Sequence, residues 1–211
     1  MNYKKMFRLG NRSKLKALKE IYNKDVDEIL ELEILEDVFT LVRETKEKDL
    51  EDIIYEFQTF DPKNREIIAL GIKIIGKVGE KYVEEVYNYI PFLIKSLDSE
   101  FEVIRYASAE ALAKIPSKLT IYAYPKLIKN MDNKVYADAL VSLIFKAENK
   151  EAILLELYKN FDSFYSLYVL KKIAEIDKNL VYDFIPLVLK HINKEEAKEF
   201  LRYLKGYDDK V

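Results

Sequence analysis

The chain has 211 residues, of which 49% are hydrophobic and 34% charged, with a formal net charge of −2; this is apolar enough to bury a core and excludes a disordered chain. Five Gly and five Pro are too few for the many turns of an all-β protein, and the absence of Cys excludes disulfides, zinc-thiolate sites and cysteine nucleophiles. Abundant Leu, Ile, Lys and Glu favour long helices, so the expected class is all-α.

The first residues, Met1 to Lys14, are basic and run directly into Leu15-Lys16-Ala17-Leu18-Lys19-Glu20, without the apolar stretch of a signal peptide. No later run approaches eighteen uncharged apolar residues, so the expectation is a soluble cytoplasmic protein with no membrane partner. Residues 1–19 carry Lys4, Lys5, Arg8, Arg12, Lys14, Lys16 and Lys19 with no acid; residues 25–37 carry Asp25, Asp27, Glu28, Glu31, Glu33, Glu36 and Asp37 with no base. Two readings follow: a basic arm for nucleic acid or an acidic partner, or two blocks folded together so that their charges cancel. Helical periodicity marks segments 13–22 and 25–45, the latter through Val26, Ile29, Leu30, Leu35, Val38, Phe39 and Val42.

From residue 60 onward one junction recurs. Tyr89-Ile90-Pro91, Ala123-Tyr124-Pro125 and Phe184-Ile185-Pro186 each have Lys four residues after the proline, an apolar residue at six, and Asp or Asn at seven. A copy without proline spans Leu155 to Asp162, and a more divergent one ends at Phe60-Asp61-Pro62. The junction residues Asp61, Asp98, Asp132, Asp162 and Asn193 therefore recur every 30–37 residues. Each is read as the N-cap of the following helix, with Pro62 at a first helical position. Including the N-terminal helices, the total is about six helix pairs.

The segment Leu97 to Ile115, with Asp98, Arg105, Ala107, Ala109, Ala111, Leu112 and Ile115, resembles the turn and second helix of a HEAT repeat. Gly76-Lys77-Val78-Gly79 and Ile90-Pro91-Phe92-Leu93 resemble its flanks. The resemblance implies one domain over 1–211, a right-handed α-α superhelix, or solenoid, of stacked antiparallel pairs. Residues 1–48 would be its N-terminal helices, 49–206 its repeats and 207–211 a tail.

Three motifs could carry chemistry. Gly71-Ile72-Lys73-Ile74-Ile75-Gly76-Lys77-Val78 has the glycine and lysine spacing of a phosphate loop, but Val78 replaces the hydroxyl residue and no strand precedes it, so close helix packing is the better reading. His191 is the only imidazole, which leaves no partner set for a catalytic triad or a histidine metal site. The iron-binding HEAT-repeat hydroxylases use several His-Glu pairs, so their activity does not carry over. Paired acids such as Glu84-Glu85 and Glu195-Glu196 read as solvated charge.

The expected function is therefore a non-enzymatic scaffold that binds a protein, with no cofactor and no metal. The alternative is a nucleic-acid-binding or repair module that uses the basic N-terminus and a solenoid groove. Net charge, 29 Lys against six Arg, and the lack of Trp weigh against the alternative. Candidate partner-binding residues are Lys95, Lys129, Lys159 and Lys190, which share one repeat position, and the tyrosines Tyr106 and Tyr136, with Tyr165 and Tyr168 on later second helices. Frequent Lys and Glu with a single Gln, Gln58, point to a protein from a hot environment.

Overall fold

The computed structural model describes residues 2–46, 63–161 and 164–205, and every regular element among them is helical. Two compact units divide the chain, Met1–Thr120 and Ile121–Val211. Asp61, Pro62, Asp162 and the tail 207–211 lie outside the described residues.

The first unit begins with α1 (Tyr3–Phe7) and α2 (Asn11–Tyr22). Asn2 caps α1 by accepting from the Lys5 N–H at 3.0 Å, and Tyr3, Phe7, Leu15 and Leu18 are buried. The segment read as a basic arm is thus helical and anchored by its apolar side chains. The stretch 25–45 divides into α3 (Val26–Glu31) and α4 (Leu35–Glu44). At the break Glu33 has a φ of 48°, a left-handed conformation that costs an L-residue on the order of 1 kcal/mol. No Gly or Pro marks this break, so the hydrophobic period runs straight through it.

The centre of the unit is α5 (Lys63–Lys81), whose buried residues include Ile67, Ile68, Gly71, Ile72, Ile74, Ile75, Gly76, Val78 and Gly79. A helix apolar on so many sides must be enclosed. It packs against α2 and α4 and also against α8 (Glu102–Lys114). Its glycines allow these approaches. A Cβ on Gly71 would run into Val42 Cγ2 of α4, and one on Gly76 would lie 2.7 Å from both Cα and Cβ of Ala111 on α8. The lysine of the loop-like motif has a structural use as well. Lys77 Nζ donates to the carbonyls of Tyr22 at 2.8 Å and Lys24 at 2.5 Å, satisfying acceptors at the C-terminal end of α2.

Between α5 and α8 lie α6 (Val83–Val86), a 3-10 turn at Tyr87–Tyr89 and α7 (Ile90–Ser96). The same turn-then-proline arrangement recurs at Lys118–Ala123 before α9 (Tyr124–Lys129) and at Lys178–Phe184 before α13 (Ile185–Leu189). Each proline stands in the first turn of its short helix, where it has no N–H to leave unpaired.

The capping residues differ from the expected ones. Asp98 stands in the turn after α7, and the N-cap of α8 is Phe101, whose side chain makes no capping bond. The turn is longer than one capping residue, and it is closed by other groups: Ser99 Oγ accepts from the Phe101 N–H at 3.1 Å, and Arg105 Nη1 donates to the carbonyls of Ser99 and Glu100 at 2.8 and 2.9 Å. At α10 (Lys134–Lys146) the cap is Asn133, not Asp132; Asn133 Oδ1 accepts from the Tyr136 N–H at 3.2 Å while its Nδ2 donates to Asp132 Oδ1 at 2.6 Å. Before α14 (Glu195–Lys205), Asn193 again lies in the turn, and Lys194 directly precedes the helix.

The second unit holds α9, α10, α11 (Lys150–Lys159), α12 (Phe164–Ile176), α13 and α14. First helices pack on first helices, α9 on α11, and second helices on second helices, α10 on α12 and α12 on α14. The core between them includes Leu127, Leu140, Leu143, Ile153, Leu157, Leu170, Val188 and Phe200, each almost wholly buried.

Candidate functional site

The repeated lysines stand where helix ends predict them. Lys95 and Lys129 lie in the last turns of α7 and α9, Lys159 in the last turn of α11, and Lys190 caps α13. All four are exposed. Positive charge in these places complements the carbonyl end of each helix. Lys159 also pairs with Glu156 Oε2 at 3.6 Å. Helix-end electrostatics therefore accounts for the recurrence without a ligand.

The tyrosines separate into different environments. Tyr136 is only 1% exposed and belongs to the core of the second unit; it fits no partner-binding role, and the apolar face of α10 is the reason. Tyr106 is half-buried, and its hydroxyl donates to Glu102 Oε1 one turn earlier on α8. Tyr165 is half-buried with its ring edge-on to Phe164, 5.3 Å between centroids. Tyr168 donates to Asp138 Oδ1 at 2.7 Å, and burial together with that carboxylate pushes its phenol up to about 12.

The second unit also carries an open apolar concavity that periodicity did not single out. A groove of about 580 Å³ lies between α11 and the 3-10 turn Lys178–Phe184, lined by Leu154, Leu155, Tyr158, Leu180 and Phe184 with Glu151 and Asp183 among the remaining lining residues. Leu155 is 56% and Tyr158 37% exposed. They are three residues apart and so share a face of α11. Ile153, Leu154 and Leu157 already supply the buried stripe of that helix. Leu155 is thus an apolar residue off the core stripe, and this was the legible signal.

His191 takes part in an aromatic chain. Its ring meets Phe161 edge-on at 5.7 Å, and Phe161 and Tyr158 lie 6.2 and 5.6 Å from Phe184. Among the described residues no three His, Cys, Asp or Glu side chains gather as a metal site would require. No helix among them is long and apolar enough to cross a membrane.

The acids of residues 25–37 find partners mostly beyond the basic N-terminus. Asp27 accepts from Lys81 Nζ at 2.7 and 2.8 Å and from the Tyr82 hydroxyl at 2.6 Å, contacts that hold its carboxyl below the usual range, the lysine most of all. Glu28 pairs with Lys24 at 2.9 Å, and Glu36 accepts from the Tyr89 hydroxyl at 2.7 Å. Burial, and then Glu36, raises the Tyr89 phenol above its ordinary value. Only Asp37, with Lys4 at 3.3 Å, joins the two charge blocks among the described residues.

No family model matches the chain. No solved structure matches it. The chain is 61% identical, over 202 residues that make up 95% of it and 97% of the relative, to the protein MJ0078 of the archaeon Methanocaldococcus jannaschii, described as uncharacterized. That relative comes from a thermophile. With the Lys- and Glu-rich composition, this leads us to expect a thermal midpoint above the roughly 45–65 °C of mesophile domains. Calorimetry that placed the midpoint inside that range would contradict the expectation.

Proposed function

The chain belongs to the family of the archaeal protein MJ0078, and we propose that it is a helical-repeat scaffold without chemistry of its own, built as a HEAT-like solenoid and binding a protein partner. The observation that carries this reading is the apolar groove beside α11, which leaves Leu155 largely and Tyr158 partly open to solvent. Exposed aliphatic and aromatic side chains in a concavity are the usual anchors of protein recognition. Glu151 and Asp183 give the groove acidic members, which suits a partner segment carrying an apolar side chain next to a basic one. The layered packing of α9 on α11 and α10 on α12 supports a repeat architecture.

The test is affinity capture from native cell extract, with and without nuclease, using wild-type protein and the double variant Leu155→Asp/Tyr158→Asp. A protein partner should survive nuclease and bind the variant roughly 30-fold or more weakly, equivalent to about 2 kcal/mol for a central anchor. Equal capture by the variant would remove the groove from the reading, and capture of nucleic acid alone would overturn the scaffold.

A further inference from the structure

With four acids of residues 25–37 engaged as described, most of the N-terminal cations are left over. Lys5, Arg8, Arg12, Lys16 and Lys19 are all exposed, and none makes an ion pair among the described residues. Arg12, Lys16 and Lys19 are spaced by four and three residues on α2, so they share one face and span on the order of 10 Å along its axis. Arg8 caps α1 just ahead of them. Beside this face lies a shallow depression of about 510 Å³, to which Lys63 adds a cation and Glu20 and Glu66 add acids.

The face has charge but almost no apolar anchor. Leu9 is the only large hydrophobic residue of segment 2–22 that is exposed. Protein interfaces draw their affinity from buried aromatic and aliphatic anchors, with charges at the rim. A row of cations without such anchors matches a ligand that offers regularly spaced negative charge and little else, which is the phosphate backbone of a nucleic acid. A folded helical face also holds its cations in place, as a mobile arm would not.

We propose that the exposed face formed by Arg12, Lys16 and Lys19, with Arg8 just before it in the chain, binds the backbone of double-stranded nucleic acid without regard to sequence. The negative net charge does not oppose this, because the contact is local and Asp27, Glu28, Glu36 and Asp37 of the acidic block already hold other partners. The proposal goes beyond the protein-partner reading and stands or falls separately from it.

The experiment is fluorescence anisotropy of the full-length protein with a labelled 20-base-pair duplex of arbitrary sequence, titrated across salt concentrations. Neutralising four phosphates gives a slope of log affinity against log salt of roughly −3 to −4. The variant Arg8→Glu/Arg12→Glu/Lys16→Glu/Lys19→Glu should bind roughly 100-fold or more weakly. A control with the same charge change elsewhere, Lys95→Glu/Lys129→Glu/Lys159→Glu/Lys190→Glu, should retain most of the binding. If the first variant does not fold, single changes of Arg12, Lys16 or Lys19 to Gln serve instead, each lowering the slope by roughly one unit. The proposal is overturned if wild type fails to bind the duplex at about 50 mM salt, where phosphate contacts are strong, if both four-site variants lose binding equally, or if poly-glutamate binds as tightly as the duplex.

Discussion

Replacing Gly76 by alanine should destabilise the protein by about 1–3 kcal/mol, read as a lower denaturant midpoint with an unchanged slope. The added methyl carbon would lie 2.7 Å from the backbone of Ala111 as well as from its side chain. Backbone cannot rotate away as a side chain can, so α5 and α8 would have to separate. Alanine's better helix propensity returns about 1 kcal/mol, and the loss of close packing along two well-filled helices should exceed it. Pairing the change with Ala111→Gly removes the clash between the two methyl groups but leaves the one with the backbone of residue 111, so rescue should be partial. Gly71→Ala is the comparison: its new methyl meets the Val42 side chain rather than backbone, and the effect should be smaller. A Gly76→Ala protein as stable as wild type would show that the two helices are not held at this distance.

Truncating Tyr136 to alanine should cost about 3–5 kcal/mol, the range for removing a large aromatic from a core. It is among the largest fully buried side chains of the chain, and its backbone N–H is the one that Asn133 caps. The change therefore opens a cavity at the start of α10 while leaving the cap in place. Tyr106→Ala, on a half-buried side chain bonded within its own helix, should cost distinctly less. Thermal or denaturant midpoints of the two variants decide the matter. An unshifted midpoint for Tyr136→Ala, with partner capture lost, would return that residue to a surface role.

The all-helical class was legible because Leu, Ile, Lys and Glu at helical spacing and few Gly or Pro all agree. The recurring prolines were legible too, although the 3-10 turns before them were not, since a tight turn and a helix share similar spacing over three residues. The caps were misplaced by one to three residues: Asp98 and Asp132 look like caps in sequence, and it takes the turn geometry to show that Ser99, Arg105 and Asn133 do the bonding. The break at Glu33 has no sequence signal at all. The glycines of α5 were read correctly as packing residues, because a phosphate loop needs a preceding strand and a hydroxyl that the sequence lacks.

The candidate surfaces were harder to see. Tyr136 and Tyr106 both stand on second helices, yet Tyr136 is the third residue of its helix, the place that buried Ile104 holds in α8, and opens the stripe of Leu140 and Leu143, whereas Tyr106 lies two residues further on and off that stripe. Leu155 could have been noticed as an apolar residue outside the stripe of Ile153, Leu154 and Leu157. The basic and acidic blocks were visible as composition, and mutual cancellation was the simpler reading. It gives way because Lys24, Lys81, Tyr82 and Tyr89 take acids that the N-terminal cations were expected to hold.

The enclosure of α5 also has a consequence during synthesis. Helices α2 and α4, which cover one side of it, leave the ribosome before it does, whereas α8, which meets Gly76 on another side, is complete only when residue 114 has been added. At roughly 5–20 residues per second, that side of the nascent chain stays uncovered for seconds. A fragment ending near residue 81 would keep it uncovered permanently, and should associate with itself or recruit a chaperone where the full chain does neither.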